Sequence, residues 1–321
     1  MTGTAFLFPG QGSQAVGMGK ALAERFATAR EIFARIDAAL GQNLSRLMFE
    51  GPEAELTLTA NAQPALMAVS LAVARVLTEE AGLDFGADAQ FLAGHSLGEY
   101  SALAAAGALS LEDAARLLRI RGEAMQSAVP VGEGAMAALL GLDFAQSAAI
   151  AAEALSELAA AGAVCQAAND NGGGQVVISG TRQAVERAMD IAKRKGARRA
   201  VLLPVSAPFH CALMQPAAET MAAALEKVEI KRPKAPIVAN VTARPMQEPA
   251  EIRKNLVAQV VGAVRWRESV LFMAERGVGR FVELGAGKVL SGLVKRIVEG
   301  ATATPIGGPA EVDAFRLAAV T

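Results

Sequence analysis

A chain of 321 residues, 52% hydrophobic and 20% charged, is large enough for one big domain carrying an insertion, or for two domains. Its 31 basic and 32 acidic residues leave a net charge of −1, which argues against bulk nucleic-acid binding and against a membrane-surface role. Two cysteines, Cys165 and Cys211, are too few for a disulfide framework or a metal cluster and read as small buried hydrophobes.

The opening residues hold neither a basic segment nor a long apolar core, and no uninterrupted apolar run is long enough to span a bilayer. A soluble, cytoplasmic chain is therefore expected. The first strand is predicted at Thr4–Phe8, ending in the glycine-rich turn Pro9-Gly10-Gln11-Gly12-Ser13. A helix then runs to about Phe33, and helical patterns fill most of the stretch to Glu80. The apolar run Ala89–Ala93 predicts a second strand. It leads into Gly94-His95-Ser96-Leu97-Gly98, and a small-residue helix follows over Tyr100–Ala108. Ser110 caps the next helix, whose first turn carries Glu112 and Asp113 as the helix dipole favours.

Between residues 133 and 203 the rhythm changes. Strands are predicted at Ala135–Leu140, Ala163–Ala168, Gln175–Ser179 and Arg198–Leu203, with helices over Asp143–Ala160 and Thr181–Lys195. A turn, Asn169-Asp170-Asn171-Gly172-Gly173-Gly174, separates the second strand from the third. This β-α-β-β-α-β order predicts a ferredoxin-like subdomain over 133–203, inserted into a larger α/β subdomain made of 1–132 and 204–321. A helix follows His210. Further strands are predicted at Pro236–Val241 and Gly279–Leu284, with helices between and after them, so the larger part reads as a parallel sheet covered on both faces.

The chemistry starts at Ser96. Strand, G-x-S-x-G turn and helix together form the context of a nucleophile elbow, in which a strained turn lifts a serine hydroxyl above the sheet. The Leu97 amide, first in the new helix, is placed to stabilise an oxyanion, and the turn after the first strand brings the Gln11 amide towards the same point as a second donor. Gly10-x-Gly12-x-x-Ala15 superficially resembles a dinucleotide fingerprint, but Pro9 interrupts the turn and no acidic strand end follows at the required distance.

A serine nucleophile needs a base, and the chain has two histidines. His95 directly precedes Ser96, so its side chain should diverge from the hydroxyl. That leaves His210, in a loop leading into a helix. The group orienting it is open: a carboxylate between Ser96 and His210, or backbone carbonyls. Arg121 adds a separate signal. On the helix Leu111–Gln126, Ala114, Leu117, Leu118 and Met125 form an apolar face, Glu112, Arg116, Arg119 and Glu123 the opposite one, and Arg121 falls inside the apolar arc. A guanidinium there needs a partner, either a buried carboxylate of the chain or a carboxylate on the substrate. The basic clusters Lys193-Arg194-Lys195, Arg198-Arg199, Lys231-Arg232 and Lys295-Arg296 read as solvated faces that can still attract an acidic protein.

Taken together, Phe8–Ser13, Gly94–Leu103, Arg121-Gly122, Ser206–His210, Asn240–Ala243, Val264–Trp266 and Glu283–Gly287 resemble, in order, the motifs of the malonyl-CoA:acyl-carrier-protein transacylases. The resemblance runs from about Thr4 to about Val298. It implies a hydrolase-like large subdomain with a ferredoxin-like small one, and malonyl transfer from malonyl-CoA to the phosphopantetheine thiol of an acidic, transiently bound acyl carrier protein, in fatty acid biosynthesis. It further implies Ser96 as nucleophile, His210 as base and then acid, Arg121 as clamp for the malonyl carboxylate, and the Gln11 and Leu97 amides as oxyanion hole. Main-chain carbonyls orient the histidine in this family, and Gln259 and Asn240 stand at the matching positions; Asn169 and Asn171 match asparagines that face the cleft from the small subdomain. Phe209 and Leu97 resemble the malonyl-selective version. Gly173 and Ala263 depart from the family in standing where relatives often carry proline, and Gly262 where they often carry a hydroxyl residue. No cofactor, metal, nucleic acid or membrane is implied, and a monomer is expected.

Overall fold

The computed structural model describes residues 3–320. Ten strands, β1 (Gly3–Phe8), β2 (Phe91–Gly94), β3 (Gly134–Leu140), β4 (Cys165–Asp170), β5 (Gln175–Thr181), β6 (Arg199–Leu202), β7 (Ile237–Val238), β8 (Pro245–Met246), β9 (Val278–Leu284) and β10 (Thr302–Ile306), divide between two sheets. The larger has the order β10-β9-β1-β2-β7-β8 and is parallel except for the last pair. The smaller has the order β4-β5-β3-β6 and is antiparallel. This is the expected α/β class: a parallel-sheet core beside a small antiparallel sheet of ferredoxin-like strand order.

The central strands are buried on both faces, which is why they read as continuous apolar runs. Side chains alternate along them. Phe6, Phe8, Leu92 and Val282 face one way, into a core shared with Leu66, Val69, Tyr100 and Leu103. Ala5, Leu7, Ala93 and Phe281 face the other, against Trp266, Val270, Met273, Leu290 and Leu293. The register pairs Phe8 with Gly94, so β1 and β2 end side by side. The loops that follow them, and the one after β7, therefore converge at the carboxyl edge of the sheet, where open α/β folds place their sites.

The small sheet carries helices Phe144–Leu158 and Arg182–Arg194 on one face, sealed by Leu139, Ile150, Ile178 and Ile191. Its other face contributes Met136, Ala138, Ala168 and Val177 to the main core.

Several boundaries differ from the sequence reading. The second strand of the small sheet runs to Asp170, not Ala168: a bulge between Ala167 and Asn169 keeps it paired with β5, and its other edge exchanges hydrogen bonds with Val264. The turn is thus shorter, and Gly172, Gly173 and Gly174 take it at positive φ. The strand expected at Pro236–Val241 is only Ile237–Val238, because the Ala243 amide folds back onto the Ala239 carbonyl. The helix expected from the first turn to Phe33 is two helices, Lys20–Arg25 and Ala27–Leu40, broken by extended backbone at Phe26. β10 was not anticipated. Pro305 reads as a strand breaker, yet β10 is an edge strand, where a missing N–H is tolerated.

Helix Thr59–Ala81 is long and apolar enough by length and composition to cross a membrane, but 83% of its apolar window is buried inside the fold. It packs on helix Leu111–Ser127 at Gly122, where a Cβ would lie 2.7 Å from Ala60 Cα and Thr59 O. Gly292, in helix Val289–Ile297, has nothing within 4 Å of the same position. Alanine is the better helix former at both sites by ~1 kcal/mol. Gly292→Ala is therefore expected to raise the urea midpoint, and Gly122→Ala to lower stability by about 1–3 kcal/mol because overpacking outweighs propensity. Equal shifts of the same sign in urea unfolding would contradict the packing described.

Candidate active site

The turn after β2 is built by exclusion. A Cβ on Gly94 would come within 1.9 Å of the Gly98 carbonyl carbon and oxygen, and one on Gly98 within 2.2 Å of the Phe8 carbonyl oxygen. Only glycine at both positions lets the chain reverse directly into helix Gly98–Ala105. Ser96, between them, sits at φ 52°, in the left-handed region that a non-glycine residue adopts at a cost of ~1–3 kcal/mol. Asn240, just beyond β7, holds it there: its side-chain oxygen accepts from the Ser96 amide at 2.7 Å and its amide nitrogen donates to the Gly94 carbonyl at 2.7 Å.

His210 is 4% exposed and also has a left-handed backbone, φ 59°. Its Nε2 lies 2.8 Å from Ser96 Oγ, across a sequence separation of 114 residues. Its Nδ1 lies 2.9 Å from the Gln259 carbonyl oxygen. A carbonyl can only accept, so Nδ1 carries the hydrogen and Nε2 is left to receive one from the serine. Burial, and secondarily the Arg121 guanidinium, push the imidazole pKa down from its ordinary 6.5 to about 3, so the ring is neutral near pH 7. His95 diverges as expected. Its Nε2 meets Asn171 Oδ1 at 3.0 Å and its ring lies 5.6 Å from that of Trp266.

Arg121 is 1% exposed. One terminal nitrogen donates to Gln63 Oε1 at 2.7 Å; the other donates to Gln259 Oε1 at 2.8 Å and to Ser96 Oγ at 3.1 Å. Among the described residues no carboxylate lies within ion-pair distance, and Nε has no partner. Of the two partners open from sequence, the internal carboxylate is not the one found. Ser96 Oγ thus accepts from Arg121, which directs its own hydrogen towards His210.

The remaining predicted residues surround the same cleft, a cavity of about 450 Å³ lined by Gln11, Leu97, Asn169, Asn171 and Phe209 among others. The Gln11 side chain donates to Thr59 Oγ1 at 3.1 Å, which in turn meets Ser206 Oγ at 3.2 Å. Among the described residues neither the Gln11 nor the Leu97 amide donates to another group of the chain. Asn169 and Asn171 are buried at the end of β4, where it adjoins the Val264 segment. Asn240 needs correction: both ring nitrogens of His210 are engaged elsewhere, with Ser96 and with the Gln259 carbonyl, so Asn240 acts on the serine through its side chain and does not orient the histidine. Of the basic clusters, all exposed, only Arg296 reaches the cleft.

Two residues escaped the sequence reading. Gln63 is a polar side chain in an apolar helix, and Glu99 a carboxylate among small residues; both are buried and both could have been found by the reasoning that found Arg121. Glu99 Oε2 accepts from Gln259 Nε2 at 2.8 Å and from the Asn240 amide at 3.0 Å.

The family model for the acyl transferase domain matches residues 5–308. The malonyl CoA-acyl carrier protein transacylase of Bacillus subtilis (strain 168) is 47% identical over 317 residues, covering 98% of this chain and 96% of its own. The crystal structure of an acyl-carrier-protein-S-malonyltransferase from Bartonella henselae is 55% identical, with a TM-score of 0.95, and the match covers 99% of this chain and 100% of that one. A malonyl-transacylase solved in complex with its type II PKS acyl-carrier protein is 43% identical, with a TM-score of 0.93, over 99% of this chain and 100% of that one. On likeness of this extent, over a fold and cleft of this form, the chain belongs to the acyl transferase family, among its malonyl CoA-acyl carrier protein transacylases.

Proposed function

We propose that the protein moves a malonyl group from malonyl-CoA to the phosphopantetheine thiol of an acyl carrier protein, in fatty acid biosynthesis, through an ester on Ser96. The observation that carries this reading is Arg121: a buried guanidinium, 3.1 Å from Ser96 Oγ, satisfied by amide oxygens and by no carboxylate among the described residues. A free acyl carboxylate is the charged partner such a group lacks.

Ser96 Oγ attacks the thioester carbonyl carbon while His210 Nε2 takes its proton. Charge building on the carbonyl oxygen is met by the Gln11 and Leu97 amides, whose hydrogens have no other acceptor among the described residues. The carbon–sulfur bond breaks, the coenzyme A sulfur takes the proton from His210, and the malonyl group stays as a seryl ester. The second half runs in reverse: His210 deprotonates the carrier's thiol, the sulfur attacks the ester, and Ser96 regains its hydrogen. No step calls on a cofactor. Asn169 and Asn171 border the cleft from the small sheet, where the acyl thioester enters. Every group used comes from one chain, in keeping with a monomer, and we place its activity in the cytoplasm.

The reading is tested by mixing the protein with malonyl-CoA and holo carrier protein and following the mass of the carrier. Malonyl-carrier is expected to form, with free malonate a minor product. Arg121→Ala is expected to lower malonyl transfer by roughly 100-fold or more while raising acetyl transfer relative to it. Malonate release at the same rate with and without carrier would favour a hydrolase, and an unchanged malonyl preference in Arg121→Ala would remove the clamp.

The His210 environment gives a second expectation. Because its folded pKa lies below the ordinary 6.5, the stability that the neutral ring brings is complete above 6.5 and drains away as pH falls towards 3. In ¹⁵N spectra of histidine-labelled protein, His210, identified by comparison with a His95→Asn variant, should remain the neutral Nδ1–H tautomer down to about pH 5. Protonation of that ring near pH 6.5 in the folded protein would contradict the site described.

A further inference from the structure

Glu99 touches neither the cleft nor, on the reading above, any reacting atom, yet it is a fully buried carboxylate in the first turn of the elbow helix. Its neighbours in that turn are Gly98, Tyr100 and Ser101, all buried. Among the described residues no cation lies within ion-pair distance, and Oε1 has no partner. Burial pushes its pKa up to about 7, against the opposing pull of its hydrogen bonds from Gln259 and the Asn240 amide. Such a group costs folding free energy.

What Glu99 does is visible in the amide of Gln259. The Gln259 nitrogen donates to Glu99 Oε2 at 2.8 Å and to the Ser96 carbonyl oxygen at 3.0 Å. Its oxygen is thereby left facing Arg121, from which it accepts at 2.8 Å. A primary amide on a fixed side chain has two orientations here. The flipped one would set NH₂ against the guanidinium and the amide oxygen against both Glu99 and the Ser96 carbonyl, donor on donor and acceptor on acceptors. Glu99 also accepts from the Asn240 backbone amide, so the carboxylate ties together the two residues whose side chains brace the serine turn, Gln259 through its side chain and Asn240 through its main chain.

We propose that Glu99 is a positioning residue for acyl loading: by holding the Gln259 amide in one orientation it gives Arg121 an acceptor and aims the guanidinium at the carboxylate of the incoming acyl group. This rests on the Arg121 clamp proposed above and adds to it the element that fixes its direction.

Glu99→Gln keeps an oxygen acceptor in the same place; Glu99→Met keeps the length and removes it. Single-turnover ester formation on Ser96 is measured by quenched-flow mass spectrometry with malonyl-CoA and, separately, acetyl-CoA. Glu99→Gln should load malonyl within about threefold of wild type and at an unchanged malonyl-to-acetyl ratio, whereas Glu99→Met should lose about 100-fold in malonyl loading and much less in acetyl loading. In a Gln259→Ala background Glu99→Met should add little, because both act through one amide. A wild-type acyl ratio in Glu99→Met, whether both rates persist or both fall together, overturns the proposal. So does a loss in Glu99→Gln as large as in Glu99→Met. Should Glu99→Met fail to fold by circular dichroism, Glu99→Gln decides alone, since near-normal loading is required of it. Wild-type protein that forms no ester at all overturns the acyl-enzyme reading instead, and this proposal with it.

Discussion

The hydrogen bond between Ser96 Oγ and His210 Nε2 joins two residues that both occupy left-handed backbone, on loops 114 residues apart. Neither loop could hold its residue unaided. The serine turn is closed by glycine-only approaches of Gly94 to Gly98 and of Gly98 to Phe8, and is braced from outside by Asn240. The histidine is fixed by the Gln259 carbonyl, which sets its tautomer as well as its angle. The parallel register of β1, β2 and β7 brings the first three of these segments to one edge of the sheet, so the fold contributes geometry that no local sequence preference would maintain.

Around that contact lies a polar network inside an otherwise apolar core. Arg121, Gln63, Gln259, Glu99 and Asn240 are all buried, and their hydrogen bonds run in a consistent direction from the guanidinium to the carboxylate. A network of this kind is costly if left half-satisfied. Here Arg121 Nε and Glu99 Oε1 are the atoms without partners among the described residues, at its two ends. The guanidinium end opens on the serine and the cleft, where a carboxylate-bearing acyl group would complete it; the carboxylate end is enclosed. The electrostatic consequence reaches the histidine as well, since Arg121 adds to the burial that keeps the imidazole neutral and ready to accept a proton.

Much of this arrangement was legible before any coordinates. Ser96 is announced by strictly local signals, a strand, a tight glycine turn and a helix. Arg121 breaks a helical apolar arc, and His210 stands out because the chain has only one other histidine, next to the nucleophile itself. The α/β class and the order of strands in the small sheet follow from hydrophobic rhythm. What stayed hidden depends on long-range pairing. The resemblance pointed to the Gln259 carbonyl, but that the same residue's side chain serves Arg121 cannot be read from a helix ending in ordinary residues. Asn240 acts through its side chain, while the ring nitrogens of His210 go to Ser96 and to the Gln259 carbonyl, a matter of three-dimensional competition. Strand β10 was obscured by Pro305, which signals a break until the strand is known to lie at the sheet edge. Glu99 was missed for a different reason: a carboxylate in the first turn of a helix looks like an ordinary response to the helix dipole, which draws attention away from the small and apolar residues around it.

The most direct test of the central claim is to locate the acyl group on the protein. Protein exposed briefly to malonyl-CoA is quenched in acid, digested and mapped by tandem mass spectrometry. The account predicts one malonyl increment, on the peptide containing Ser96, discharged when holo carrier protein is added before the quench and missing from Ser96→Ala. An increment on any other side chain, or one that survives in Ser96→Ala, would contradict it.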